Sequence, residues 1–465
     1  MLRKFLAVLV GLFLAAGLTV AVSGTTAAVA ASPGLKRSPA KPWPGEVTKL
    51  KGTIAPKGRI VALQKYQAGR WVQVKRTRTK TKGAFSLAVR ASTTRVKYRV
   101  VAPKAKVAGK TRRQVVTSSR TVVATAPSVR LAFGSTPVVK KNGRAYLSGR
   151  VSATPAASRA NVVVQRMSAK GWRNVTSGKL TKGSHRFTVV ANKYKYRALV
   201  RATGSTANWA VSKTVTPRWR VTWRDEFTND AKSRQTWDHR DLGSRYGRRV
   251  CSTTGARQTT YPGGVMRLRL SKDSRPKQDP DGTRVKNWKK ACPDGTYLNA
   301  MVGTQVTKNF KQGVFAARVK FQAPQGMHGA FWLQSNGGTP EIDVAEYFGN
   351  GRADGGLASF LHSRPNARGK QTTVGGVLKS ADRIVNRGSG TAASRYHVYS
   401  VEWTKTGYVF RIDGKVTLRT KRLRSNDPHF MVLSLISSDW EMKNLKKSQL
   451  KKAYVDVDWV RVWQK

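Results

Sequence analysis

Short runs of Val, Leu, Ile and Tyr alternate with Lys, Arg and Thr along this chain and break at Gly, Pro or Asn. A period of two puts apolar side chains on one face of an extended strand and polar ones on the other, as in antiparallel sheets with one buried face. The alternation is clear from Gly313 to Phe321 and from Tyr396 to Trp403. Tyr408-Val409-Phe410-Arg411-Ile412 then runs into Asp413-Gly414, a strong hairpin signal. The expected class is all-β. At 465 residues the chain is long for a single core and suits two or three domains.

Residues 33–216 contain one pattern twice. Ile60-Val61-Ala62-Leu63-Gln64-Lys65 lines up with Asn161-Val162-Val163-Val164-Gln165-Arg166, and Gly69-Arg70-Trp71 with Gly171-Trp172. Lys82-Gly83 then matches Lys182-Gly183, and Lys97-Tyr98-Arg99 matches Lys195-Tyr196-Arg197. A spacing of about 100 residues is one sandwich domain's worth. Two small immunoglobulin-like sandwiches are expected, over 32–125 and 126–216, with a larger domain over 217–465. Trp71 and Trp172 read first as residues packed on the sandwich, and second as platforms for a sugar ring.

Charge divides the chain unevenly. Lys and Arg number 88 against 22 Asp and Glu, a net of +66. Residues 1–224 hold 46 of the cations and one acid, Glu46, so acid–base chemistry belongs to the C-terminal half. Such a field attracts polyanions, or else belongs to solvated surfaces spread over the whole chain. Arg3 and Lys4 ahead of the apolar run from Phe5 to Val22, with Ala28-Val29-Ala30 after it, read as an export signal over 1–31. After its cleavage no membrane segment is expected. Cys251 and Cys292 are the two cysteines and are expected to pair once exported.

Six Glu occur in the chain, and two of them flank an Asp in Glu341-Ile342-Asp343-Val344-Ala345-Glu346. On a strand Glu341 and Asp343 share a face, while Glu346 falls on the other. One extra residue near Val344-Ala345, a β-bulge, returns it to the first. Three unpaired acids on one face repel each other, and glycoside hydrolysis uses that arrangement: one carboxylate attacks while a protonated one donates.

Gly313 to Lys320, Gly326 to Leu333, Glu341 to Tyr347, Tyr396 to Trp403, Asp413-Gly414 and Val457 to Val462 resemble, in that order, the central block of glycoside hydrolase family 16. The resemblance covers about residues 220–465 and implies a jelly-roll β-sandwich and a secreted, retaining endo-β-glycan hydrolase. The bulged spacing is similar to that of laminarinase-like members acting on β-1,3-glucan; some members cut galactans instead. It implies Glu341 as nucleophile, Asp343 as its assistant and Glu346 as acid/base. Trp332 is similar to a cleft Trp beside the cut, and His362 to a His near the acid/base. His328-Gly329 replace a common Trp-Pro, and Trp440 is a candidate replacement platform. Asp458 matches a position through which some relatives bind structural Ca²⁺; no cofactor is required for the reaction.

The expected partners are a β-glucan and an anionic cell-wall polymer met by the basic N-terminal domains, with no nucleic acid, in a secreted or wall-associated monomer. The competing class is a non-catalytic cationic wall-binding protein. An intact carboxylate trio opposes it, because a binder gains nothing from the repulsion.

Overall fold

The computed structural model describes residues 32–157, 159–241, 249–274, 290, 292–379, 381–385 and 391–465. The export signal expected over 1–31 lies outside them. Strands dominate, and the all-β expectation holds. Among the described residues no helix is long and apolar enough to cross a membrane.

The chain forms two compact units, residues up to 42 with 47–124, and residues 43–46 with 125–465. In the first, a sheet of Lys36–Ser38, Val47–Thr53 and Ala84–Arg90 accompanies a sheet built around Val96–Ala102, Ile60–Gln67 and Arg70–Arg78. Leu50, Val61, Leu63, Leu87 and Val100 fill the space between, because alternate residues of each strand turn inward. This unit has no carboxylate, and the two Nη groups of its buried Arg59 donate to the main-chain carbonyls of Ala55, Ala102, Pro103 and Arg113.

The second unit opens with another pair of sheets, one centred on Ala145–Thr154 and one on Ala160–Ser168 with Gly171–Lys179 and Tyr196–Ala202. Two larger sheets follow. One orders Thr296–Gly303, His429–Ile436, His328–Ser335, Glu341–Tyr347, Leu357–His362 and Thr373–Val377 side by side. The other orders Met266–Arg269, Tyr454–Gln464, Gly313–Lys320, His397–Thr404, Gly407–Ile412 and Lys415–Thr420. Phe315, Phe331, Leu333, Tyr399, Phe410 and Leu433 belong to the core they share. The expected hairpin forms at Asp413 (φ 51°) and Gly414 (φ 84°), both in the left-handed region that a tight two-residue turn requires.

The contacts give a boundary at 124/125 but none at 216, so 126–216 and 217–465 fall in one unit. The second small sandwich shares an apolar cluster with the large one, in which Leu147, Val162 and Trp43 join Val314, Val398, Trp459 and Trp463. Polar bonds cross the same seam. Thr136 Oγ1 donates to Glu402 at 2.6 Å, and Arg461 donates to Gly143 O at 3.0 Å while pairing with Glu226. Alternation hides this seam, since an outward Trp on an edge of the core reads like any exposed strand residue. Residues 217–465 expressed without 126–216 would expose Trp459 and Trp463, and are expected to aggregate or to melt well below residues 126–465. Calorimetry of the two fragments checks this.

Candidate active site

The strand Glu341–Tyr347 lies inside its sheet, between His328–Ser335 and Leu357–His362. Its pairing slips by one residue: Asp343 faces Phe360, but Glu346 faces Ala358. On the other side Phe331 pairs with Ala345 and Trp332 with Asp343. Val344 and Ala345 are consecutive and both sit in the core, which a regular strand forbids. Ser359, opposite the slip, donates its hydroxyl to Val344 O at 2.8 Å and so satisfies a carbonyl that the interrupted ladder leaves out. Glu341, Asp343 and Glu346 consequently line one cleft of about 750 Å³.

Each acid has its own surroundings. Glu341 pairs across from Gln334, whose Nε2 donates to Glu341 Oε2 at 2.8 Å; Arg240 Nη2 in turn donates to Gln334 Oε1 at 3.0 Å. Asp343 is the deepest, 3% exposed, and His362 Nε2 reaches its Oδ2 at 3.1 Å. Thr373 Oγ1 contacts the other ring nitrogen of His362 at 3.0 Å. Glu346 has His328 Nε2 at 4.0 Å.

Burial raises all three carboxyls. It pushes Asp343 well above the usual range, with the charge of Glu346 adding to the effect. Burial and then the Asp343 charge push Glu341 up to about 8. Glu346 rises too, by burial first, although His328 and His362 pull it back. Three such groups cannot all ionise together, so they share protons as a set. A hydrogen bond with Glu341 acts against burial at Asp343, so these two carboxyls hold a proton between them.

The sequence reading missed a buried pair on the far side of Glu346. His328 Nδ1 lies 2.8 Å from Glu441 Oε2, and that oxygen also accepts the Ser438 main-chain N–H at 2.9 Å. Burial acts against charge on His328, but the Glu441 carboxylate and hydrogen bond, with Glu346, outweigh it and raise its pKa. The protonated form of His328 is thereby favoured beside Glu346. Arg249 also lines the cleft and feels Glu441 and Glu346. It sits next to a clamp in which Asp439 accepts the main-chain N–H groups of Val250 and Cys251 at 2.7 and 2.8 Å. The expected Cys251–Cys292 disulfide forms, with Cα atoms 5.4 Å apart. The His328-Gly329 departure marked this region, but its partner is 113 residues away, and nothing local pointed to Glu441.

Trp332 lines the cleft beside Asp343, its indole N–H donating to Ser434 Oγ at 3.1 Å. His362 reaches Asp343 and its charge also acts on Glu346, as expected, while His328 stands on the other side of Glu346 at 4.0 Å. Trp440 is 48% exposed and is not a cleft-lining residue; its ring lies 6.3 Å from Phe348, which is 5.2 Å from His328. Asp458 takes Arg318 Nη1 at 2.8 Å, and Asp456, two residues earlier, takes Arg267 and Lys320. Ca²⁺ does not fit there, because cations already occupy both carboxylates. Glu341, Asp343 and His362 hold ligand atoms within 4.8 Å of each other, and the Gln334 amide donates into one oxygen of the same Glu341 carboxylate.

Residues 249–461 match the family model described as "Glycosyl hydrolases family 16". That stretch is a family 16 domain. The horseshoe-crab (Tachypleus tridentatus) clotting factor G alpha subunit is 22% identical over 258 residues, 53% of this chain and 34% of that protein. The chain therefore spans about a third of that relative's length. The laminarinase catalytic domain of Thermotoga maritima shares 17% identity, over 53% of this chain and 98% of its own, with a TM-score of 0.42. The endo-β-1,3-glucanase of Pyrococcus furiosus shares 19%, over 53% and 94%, at 0.41.

The carboxyl set makes the family 16 domain less stable than it would otherwise be. A carboxyl raised from 4.5 to about 8 on folding stabilises fully below pH 4.5 and loses that contribution as pH rises through the folded value. Glu341→Gln keeps the Gln334 contact without the charge. It is expected to leave the melting temperature unchanged below pH 4.5 and to stabilise the protein near pH 8 by at most ~5 kcal/mol, at about 1.4 kcal/mol per pKa unit. Paired thermal melts across that range check the sign.

Proposed function

We propose that the family 16 domain hydrolyses internal bonds of a β-linked glycan, foremost a β-1,3-glucan, by double displacement with retention, and that it does so outside the cell. The observation that carries this reading is the one-residue slip that turns Glu341 and Glu346 into the same cleft with Asp343 between them. Glu341 attacks the anomeric carbon while Glu346 gives its proton to the departing glycosidic oxygen. Water then enters, loses a proton to Glu346, and its oxygen displaces Glu341. Asp343 shares a proton with free Glu341 and so disperses the charge that returns there when water displaces it. Gln334, backed by Arg240, holds the attacking oxygen in line. Trp332 offers an apolar wall for the sugar at the cut, and the pair His328–Glu441 flanks the leaving-group side.

The imidazolium beside Glu346 has a mechanistic consequence. A cation there favours the ionised form of Glu346, so it eases proton release in the first step and limits how far into alkali the acid form survives.

Reducing-sugar release from laminarin is expected for the unmodified chain and to fall by about 10³-fold in Glu341→Gln and in Glu346→Gln. Equal activity in Glu341→Gln would remove the proposed nucleophile. Release from agarose but not from laminarin would keep the mechanism and change the glycan. His328→Phe, which retains a ring against Phe348, is expected to move the alkaline limb of kcat/KM to higher pH, because Glu346 then stays protonated longer. A pH–rate profile with an unmoved limb would confine His328 to packing.

A further inference from the structure

Trp71 and Trp172 occupy matching places in the two sequence copies, and both are only partly buried and outside the apolar cores. What covers each indole is the same. In the first copy Arg99 Nε donates to Gln64 Oε1 at 2.8 Å, and its guanidinium carbon lies 4.4 Å from the Trp71 ring centre. In the second, Arg197 Nε donates to Gln165 Oε1 at 2.8 Å, and the guanidinium lies 4.3 Å from Trp172. Asn174 steadies Gln165 by accepting from its amide at 2.9 Å. The neighbouring Tyr98 and Tyr196 are buried, so the strands alternate and send Arg99 and Arg197 outward.

A guanidinium with its Nε occupied and its plane set by an indole has lost most of its rotamer freedom before any ligand arrives. Its two Nη groups remain as a fixed pair of donors, and among the described residues no hydrogen bond of theirs to protein is made. That edge matches a carboxylate in two parallel bonds. Shielding an indole from water requires neither the Gln nor a recurrence of the whole arrangement. The set recurs although the adjoining strands have diverged, Ile60-Val61-Ala62-Leu63 against Asn161-Val162-Val163-Val164. Residues 32–42 and 47–124 hold 24 Lys and Arg and no Asp or Glu, so the first fork has no carboxylate of its own unit to take.

We propose that these two forks bind the carboxylates of an acidic polysaccharide and so hold the chain on a uronate-bearing glycan. Single-stranded nucleic acid fits less well, because base stacking needs an open aromatic face and the guanidinium covers it. The proposal stands on residues far from Glu341 in sequence and does not depend on the hydrolase reading.

The test uses the full chain and polygalacturonate as probe, with affinity measured by titration calorimetry at 0.15 M salt. Arg99→Lys with Arg197→Lys keeps every charge and removes both planar forks. It is expected to weaken binding by about tenfold or more, in line with losing hydrogen bonds to a charged group, while melting temperature and laminarin hydrolysis stay as they were. Lys51→Gln with Lys82→Gln removes two charges elsewhere and is expected to weaken binding far less. Three results would overturn the proposal. The Lys variant could bind as the unmodified chain does, which would make bulk charge sufficient. Polyphosphate or DNA could bind as tightly as polygalacturonate. The unmodified chain could fail to bind polygalacturonate at all. Should the Lys variant melt lower, Gln64→Leu with Gln165→Leu frees Nε without touching charge or the Arg, and unchanged binding there counts equally against it.

Discussion

One extra residue in the strand Glu341–Tyr347 decides where the third acid goes. With regular alternation Glu346 would turn into the core beside Leu333 and Phe331, and burying a lone carboxylate among them is prohibitively unfavourable. The slip sends Val344 and Ala345 inward together, and Ser359 closes the resulting gap in the ladder. Everything chemical in the cleft depends on that local irregularity: the shared protons, the reach of His362 to Asp343, and the approach of His328 to Glu346. The fold tolerates the compressed acids because the two sheets supply apolar burial on the opposite side of the same strand.

Several of these features could be read directly from residues. Alternation marked the strands, Asp413-Gly414 marked its turn, and the acid spacing marked a strand that an ordinary sheet would not carry. The two cysteines left a single pairing. What could not be read was chosen by distant chain segments. Glu441 meets His328 through a short helix over a hundred residues away, Arg240 works through Gln334, and Arg249 is fixed near Asp439. Asp458 shows the opposite failure. Its position suggested a metal ligand, but strand neighbours two residues apart bring Arg318, Arg267 and Lys320 to that face, and the cations settle the matter.

Domain boundaries follow apolar surface more than repeat length. The two copies are alike in sequence, but the second contributes to a core that includes Trp459 and Trp463, whereas the first closes on itself. A repeat reports common ancestry of the units and says little about which of them is later built into a neighbour. The seam also means that the rear of the sheet containing Tyr454–Gln464 is partly sealed, and the open groove lies on the other large sheet.

The first sandwich folds with no acid to offset its cations, and its buried guanidinium meets carbonyls in place of a carboxylate. A body charged with one sign is under constant outward electrostatic pressure, which packing must resist and dissolved ions relieve. Its rigidity is therefore partly on loan from its surroundings. Dilute salt strengthens that pressure and dissolved anions relieve it, so the stability of this sandwich follows the ionic strength around it.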